Sequence, residues 1–105
     1  MTEYVCLTLI ASAGESEPAF GSRLTAFWTH LLRTQKAVYE AVYAEATRVS
    51  TTDGRVSRQY MVEASAAETV LAELSAADIA TLPLDPDDTY SKYEAAPPDW
   101  FQIPH

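Results

Sequence analysis

The sequence predicts an α+β domain, in which a small antiparallel sheet carries one long helix and two short helices on one face in the ferredoxin-like βαββαβ order. Three patterns predict it: an apolar β-prone run at the start, a stretch with helical periodicity after it, and an Asp-Gly turn between two further β-prone runs. With 105 residues the chain has the length of one domain. We assign the α+β domain to residues 1–82 and an extended, Pro-rich, acidic tail to residues 83–105.

The first element is a strand from Glu3 to Ala11, with the sequence EYVCLTLIA. Its apolar residues are continuous rather than alternating, as is typical of a strand in the middle of a sheet or buried on both faces. The following Ser12, Ala13 and Gly14 end the run. We therefore expect a first strand that is either in the middle of the sheet or buried on both faces.

The longest predicted element is an amphipathic helix from Ser16 to about Ala46. Ser16 is a suitable N-cap, Glu17 places a negative charge in the first turn, and Pro18 fixes a helical φ at the start. At 100° per residue one face is apolar throughout. That face contains Phe20, Leu24, Phe27, Trp28, Leu31, Leu32, Val38, Tyr39, Val42 and Tyr43.

This helix would be too long for the predicted sheet, because some 28 residues at 1.5 Å each extend about 42 Å. Either the helix breaks near Arg33, Thr34 and Gln35, or its far half buries its apolar face against the tail or a second subunit. Gln35 lies within the apolar face, where a polar side chain requires a hydrogen-bond partner. It is therefore a candidate for a bend, a dimer contact or a pocket.

The remaining elements follow from turn and cap residues. Asp53-Gly54 predicts a hairpin between strands at 46–52 and 55–64. The similar segments 65–68 (SAAE) and 75–78 (SAAD) predict two short helices that begin with capping boxes or close variants. Their expected buried residues are Val70, Leu71, Leu74, Ile79 and Leu82. Residues 100–103 form a possible fourth strand.

The net charge of -8 is concentrated in the C-terminal part of the chain. Residues 1–62 contain six acidic and six basic residues, whereas residues 63–105 contain nine acidic residues and only Lys92 as a base. This distribution disfavours nucleic acid and anionic membranes as partners and favours a basic protein. Because no apolar run reaches roughly 20 residues and the first residues lack a basic signal region, we expect a cytoplasmic protein without a membrane segment.

Residue types that support metal binding or catalysis are sparse. One cysteine, Cys6, and two histidines, His30 and His105, form no ligand cluster or catalytic triad, and no Gly-rich phosphate loop precedes the helix. We therefore predict no metal and no cofactor. Enzymatic activity stays open, with a noncatalytic role favoured.

The leading functional hypothesis is a noncatalytic interaction module, for example an inhibitor or immunity-type protein. Its acidic C-terminal third would bind a basic partner through charged and aromatic side chains. The candidate partner-binding residues are Asp85, Asp87, Asp88, Tyr90, Tyr93, Glu94, Asp99, Trp100 and Phe101.

The alternative hypothesis is a homodimeric α/β-barrel-like protein that binds a small molecule, or a cofactor-free enzyme, with an apolar pocket between helix and sheet. The candidate pocket residues are Trp28, His30, Gln35, Tyr39 and Tyr60. In the enzyme version, His30 or a tyrosine would assist proton transfer.

Overall fold

One antiparallel sheet with three helices makes up the described part of a computed structural model, which covers residues 2–45, 50–83, 92–94 and 98–103. The elements in chain order are β1 (Tyr4–Ile10), α1 (Glu17–Thr34), α2 (Lys36–Glu40), β2 (Val42–Glu45), β3 (Ser50–Thr52), β4 (Arg55–Glu63), α3 (Ala64–Ala76), β5 (Ala80–Thr81), β6 (Lys92–Tyr93) and β7 (Trp100–Gln102). The α+β prediction is confirmed.

Strands β1 and β4 form the centre of the sheet. They pair antiparallel over seven positions, from Tyr4 opposite Glu63 to Ile10 opposite Ser57. The order across the sheet is β5-β1-β4-β2-β7, while β3 pairs with β4 and β6 pairs with β1. Of the two alternatives for the first strand, the position in the middle of the sheet is the one observed.

The register divides the sheet into a helix-covered face and an opposite face. Leu7 lies opposite Tyr60 and Val5 opposite Val62, so these four side chains share one face. The same face packs with α1 and α3 in one core cluster. That cluster includes Leu7, Leu9, Phe20, Leu24, Phe27, Trp28, Leu31, Tyr39, Val42, Tyr60, Val62, Val70 and Leu74.

Helix α1 starts where its cap residues predict but ends early. The Ser16 hydroxyl accepts a hydrogen bond from the Ala19 amide at 3.3 Å, so the predicted N-cap is confirmed. The helix ends at Thr34, and Gln35 adopts φ -146° and ψ 68°, outside the helical region. Of the two alternatives for the surplus length, the break near Gln35 is confirmed.

The predicted continuation of the helix to Ala46 is wrong. After α2, the chain turns at Ala41, and residues 42–45 form β2, which pairs with β4. Val42 lies opposite Val62 and is fully buried. An extended conformation here pairs the backbone with β4 and still buries Val42, so tertiary pairing overrides the local helical pattern.

The Asp53-Gly54 turn is confirmed. Both residues have positive φ, 53° and 74°, as a type I′ hairpin turn requires. The turn connects β3 to β4, with Thr52 opposite Arg55. Residues 46–49 of the predicted strand lie outside the described residues.

One helix, α3, lies where the first of the two short helices was predicted. The prediction of a second short helix is wrong, because β5 follows α3. The helix starts directly after Glu63 without a side-chain cap, so the predicted capping box at 65–68 is wrong. Instead, the Ala64 amide donates to the Glu3 carbonyl at 2.8 Å, which satisfies one free amide of the first turn.

The second predicted cap, at residues 75–78, ends α3 rather than starting a helix. Asp78 has φ 58°, its amide donates to the Ser75 carbonyl, and the Ile79 amide donates to the Leu74 carbonyl. This is the hydrogen-bond pattern of a Schellman motif, with aspartate at the left-handed position that glycine usually occupies. Ile79 is buried as predicted, whereas Leu82 is 39% exposed and its predicted burial is wrong.

The described parts of residues 83–105 include two sheet strands. β6 lies beside β1, and β7 lies beside β2, with Glu45 opposite Trp100 and Tyr43 opposite Gln102. The predicted fourth strand near residue 100 is therefore confirmed as a strand. These pairings attach the described C-terminal residues to the sheet at two places, beside β1 and beside β2.

Candidate ligand-binding cavity

A cavity of about 350 Å³ lies between α1 and the β4-β2-β7 side of the sheet. Its volume is within the range of small-molecule sites, roughly 300 to 1,000 Å³. The lining residues are Leu24, Thr25, Trp28, Thr29, Leu32, Tyr39, Ala44, Arg58, Tyr60, Phe101 and Ile103.

The cavity follows from the spacing of the side chains that line it. Leu24, Trp28 and Leu32 repeat every four residues along α1 and therefore share one side of the helix. On the sheet, Ala44 lies between Tyr60 on β4 and Phe101 on β7. Because alanine is small, the space between these two large rings stays open.

Aromatic rings form one wall of the cavity. The Trp28 and Tyr60 ring centroids are 4.9 Å apart with a tilt of 51°, and Phe27 packs edge-on against Trp28 at 4.9 Å. These contacts fix the Trp28 and Tyr60 rings beside the cavity. The result is a rigid apolar surface of the kind that binds organic molecules.

Two buried nitrogen atoms that belong to cavity-lining residues lack a hydrogen-bond partner among the described residues. They are Nε1 of Trp28, a residue only 5% exposed, and Nε of Arg58. Indole Nε1 and guanidinium nitrogens are donors only. A buried donor without an acceptor costs about 1 to 3 kcal/mol, and more when it is charged.

Arg58 also makes no ion pair within the described residues. The contrast is Arg23, whose Nη2 lies 2.8 Å from Oε1 of Glu15 and whose Nη1 donates to the Asp78 carbonyl at 3.1 Å. Arg23 holds the pKa of Glu15 below its usual range, mainly through their hydrogen bond. Arg58 thus leaves a half-buried positive charge uncompensated at the cavity.

The C-terminal side of the cavity is fastened by two hydrogen bonds. The Tyr39 hydroxyl donates to the Ile103 carbonyl at 2.8 Å, and Gln102 Nε2 donates to the Glu40 carbonyl at 3.0 Å. Burial raises the pKa of Tyr39, so its phenol keeps its proton. The segment that contains Phe101 and Ile103 is therefore held against α2.

The structure brings three of the five predicted pocket residues together: Trp28, Tyr39 and Tyr60 all line the cavity. His30 lies on the exposed side of α1 and is not among the lining residues. Gln35 forms the helix break, and its Nε2 donates to Oε1 of Glu73 on α3 at 2.9 Å. The polar side chain of Gln35 therefore has a hydrogen-bond partner, although it lies within the apolar stripe predicted from the sequence.

The structure describes only some of the predicted partner-binding residues. Asp85, Asp87, Asp88 and Tyr90 lie outside the described residues, and of Tyr93 only the backbone is described, in β6. Glu94 and Asp99 are exposed, and Trp100 is half-buried. Phe101 is 42% exposed and lines the cavity.

Sequence reasoning missed Arg58 as a site residue. In β4, Val56, Arg58, Tyr60 and Val62 alternate with the residues of the other face, so Arg58 shares the face of the buried Tyr60 and Val62. A basic residue within an otherwise apolar alternation was the available signal. Its meaning depends on the absence of a carboxylate partner, which the sequence alone does not show.

Among the described residues, no group of three or more His, Cys, Asp or Glu side chains has the geometry of a metal site. Within the same residues, no helix has both the length and the apolarity needed to cross a membrane.

Comparisons with protein-family models, curated proteins and solved structures found no match for this chain. The functional argument therefore rests on the cavity.

Proposed function

We propose that the protein binds a small, largely apolar organic molecule in the cavity between α1 and the sheet. The observation that carries this proposal is a space of about 350 Å³ with an aromatic wall, two of whose lining residues carry a donor that no described residue satisfies. Small-molecule sites combine these features: mostly apolar walls with a few polar groups that orient the ligand.

A packing defect is a poorer explanation of this space. Protein interiors are close-packed, and unfilled volume costs about 24 cal/mol per Å³ in engineered cavities. The lining also includes a charged side chain, which is costly beside an empty apolar space. A ligand that fills the volume and accepts hydrogen bonds would remove both costs.

The lining favours binding over catalysis. The lining residues include no His, Cys, Asp or Glu, so the described site offers no side chain that is a base near neutral pH. The Thr25 hydroxyl is already donated to the Gly21 carbonyl at 2.9 Å. The raised pKa of Tyr39 keeps its phenol neutral and disfavours it as a base.

The fold proposal that accompanies this function is the ferredoxin-like plan, extended at one edge. The order β5-β1-β4-β2, with helices before β2 and before β5, supports it, and β7 would be an addition beside β2. Homodimer formation stays a prediction, which size-exclusion chromatography with light scattering tests. Binding of a basic protein by the acidic C-terminal third likewise stays a prediction.

The proposed function is tested with N-phenyl-1-naphthylamine, a neutral probe whose fluorescence increases in apolar sites. We expect saturable binding that is weakened at least about tenfold by Thr29→Phe, which places a large side chain at an exposed lining position. Ala26→Phe is the matched control, since Ala26 is exposed on the same helix and does not line the cavity. Equal affinity of the wild-type protein and Thr29→Phe for the probe contradicts the proposal.

A further inference from the structure

We infer that the ligand is a monocarboxylate with an apolar body, whose carboxylate binds between the Arg58 guanidinium and the indole N–H of Trp28. This inference rests on the proposed function, because it names the chemical class of molecule that the cavity takes. Both residues line the same cavity, and Nε1 of Trp28 and Nε of Arg58 are the two buried side-chain atoms that lack a hydrogen-bond partner among the described residues.

The Arg58 side chain is arranged as an anion-binding group. Its guanidinium is always charged and presents donors in a planar fork that matches the two oxygens of a carboxylate. In the described part of the chain it has neither an ion pair nor a hydrogen bond, although it is half-buried. An anion in the cavity would supply the missing partner.

Space for this guanidinium is provided by Gly21 on α1. A Cβ atom at Gly21 would lie 3.1 Å from Nη2 of Arg58 and 3.7 Å from Cζ. Such a contact is tighter than most Cβ atoms make, so the glycine lets the helix backbone approach the charged group closely. The sequence thus accommodates an arginine that makes no internal ion pair.

Trp28 supplies a second donor of fixed position. It is 5% exposed and is packed between Phe27 and Tyr60, so its ring is held in place beside the cavity. An indole N–H only donates, so a ligand that binds beside it would need to supply an acceptor. An ionised carboxylate accepts only, with about four lone-pair sites, and can satisfy both residues at once.

The charge of the lining limits the ligand to one negative charge. Among the described lining residues Arg58 alone is charged, so one cation faces the ligand. A cationic ligand would be repelled, a neutral one would leave the guanidinium unpaired, and a second negative charge would be buried without compensation. A ligand with one negative charge balances the positive charge of Arg58 and adds no further unpaired charge.

A matched pair of probes tests the inference: adamantane-1-carboxylate and adamantane-1-carboxamide, which share an apolar body and differ in charge. Their affinities are measured at pH 7 by isothermal titration calorimetry and by displacement of N-phenyl-1-naphthylamine. The acid is ionised at this pH, because an ordinary carboxyl pKa is about 4. We expect the wild-type protein to prefer the carboxylate at least about tenfold, as charged hydrogen bonds imply.

Arg58→Gln should reduce this preference to within about twofold while amide binding is retained, which shows that the variant keeps a folded cavity. Arg33→Gln is the matched control, because it removes an equal charge from an exposed position on α1. Trp28→Phe should weaken carboxylate binding. In the Trp28→Phe background, Arg58→Gln should still reduce the preference for the carboxylate over the amide.

The outcomes separate the inference from the proposed function. Equal binding of acid and amide, or a preference for the acid that survives Arg58→Gln, overturns the carboxylate inference and leaves the cavity as a site for neutral molecules. Binding of the naphthylamine probe without either adamantane compound also overturns the inference. Failure of all three probes to bind contradicts the proposed function itself.

Discussion

A Cβ atom on Gly21 of α1 would lie 3.1 Å from Nη2 of Arg58 on β4. This relationship links a costly helix residue to the charged group at the cavity. Glycine in a helix interior is less stable than alanine by about 1 kcal/mol. The close approach gives a structural reason for a glycine at this position of the helix.

Gly21→Ala should therefore stabilise the unliganded protein and weaken its binding of adamantane-1-carboxylate. The expected gain in unfolding free energy is about 0.5 to 1 kcal/mol, because Ala favours the helix and the flexible end of Arg58 can move aside. The moved guanidinium should lose its alignment with the carboxylate. Urea unfolding and calorimetric titration measure the two effects.

Ser22→Ala is the control for this trade-off. Ser22 is exposed on the same helix and does not line the cavity, so the substitution raises helix propensity away from the site. It should leave carboxylate affinity unchanged. Unaltered affinity in Gly21→Ala would refute the role assigned to the close approach.

Tyr39→Phe should loosen the attachment of β7. The substitution removes the 2.8 Å hydrogen bond to the Ile103 carbonyl and keeps the buried ring. We expect a loss of about 1 kcal/mol in unfolding free energy and faster amide exchange in residues 100–102. Hydrogen exchange measured by mass spectrometry checks the local effect, with β1 and β4 as internal references. Unchanged exchange in β7 argues against this fastening.

Asp78→Gly should stabilise the protein, because Asp78 has φ 58° at the end of α3 and glycine adopts this conformation without a Cβ clash. The expected gain in unfolding free energy is about 1 kcal/mol, because glycine removes the strain of a side chain in a left-handed conformation. The hydrogen bond from Arg23 is retained, since it goes to the backbone carbonyl of residue 78. Asp53 also has positive φ but lies in the hairpin turn, so Asp53→Gly tests whether the gain is specific to the helix end. A decrease in melting temperature for Asp78→Gly would show that its side chain has another role.

Cys6 should react slowly with iodoacetamide at neutral pH. Burial raises the pKa of its thiol to about 11, with a smaller contribution from the negative charge of Glu45. Because the thiolate is the reactive form, the rate should keep rising with pH through 10, whereas the urea-unfolded chain should level off above its ordinary pKa of about 8.5. A plateau near pH 9 in the folded protein would contradict this environment.

The same shift has a defined effect on stability. The folded state favours the protonated thiol, so this contribution is fully present below the unfolded pKa of about 8.5 and is lost as pH rises through the folded pKa of about 11. Cys6→Ala should therefore flatten the loss of unfolding free energy above pH 9. Parallel pH profiles for the wild type and Cys6→Ala would contradict the assigned linkage.

Local signals in the sequence predicted the elements that depend on local chemistry. Ser16 and Pro18 predicted the start of α1, and Asp53-Gly54 predicted the hairpin, because caps and tight turns are determined by adjacent residues. Val42 and Tyr43 fit the apolar face of a longer helix and also fit a strand. Pairing with β4 decides between these conformations, and that pairing joins residues distant in the sequence.

The candidate site was predicted only in part for a similar reason. The helical period correctly placed Trp28 on the inner face, and the alternation of β4 was compatible with Tyr60 beside it. The space itself depends on Ala44 between two rings on neighbouring strands, and the importance of Arg58 depends on which groups do not reach it. Both are properties of the assembled sheet.

The most direct test of the site is the indole N–H resonance of Trp28 in a ¹H–¹⁵N spectrum during titration with adamantane-1-carboxylate, which has no aromatic ring to add its own shift. The two tryptophans give two indole signals, and Trp28→Phe assigns them. We predict that the Trp28 proton moves downfield with saturation as it gains an acceptor, and that Trp100, which does not line the cavity, stays in place. A Trp28 signal that does not move at saturating ligand would contradict the carboxylate site.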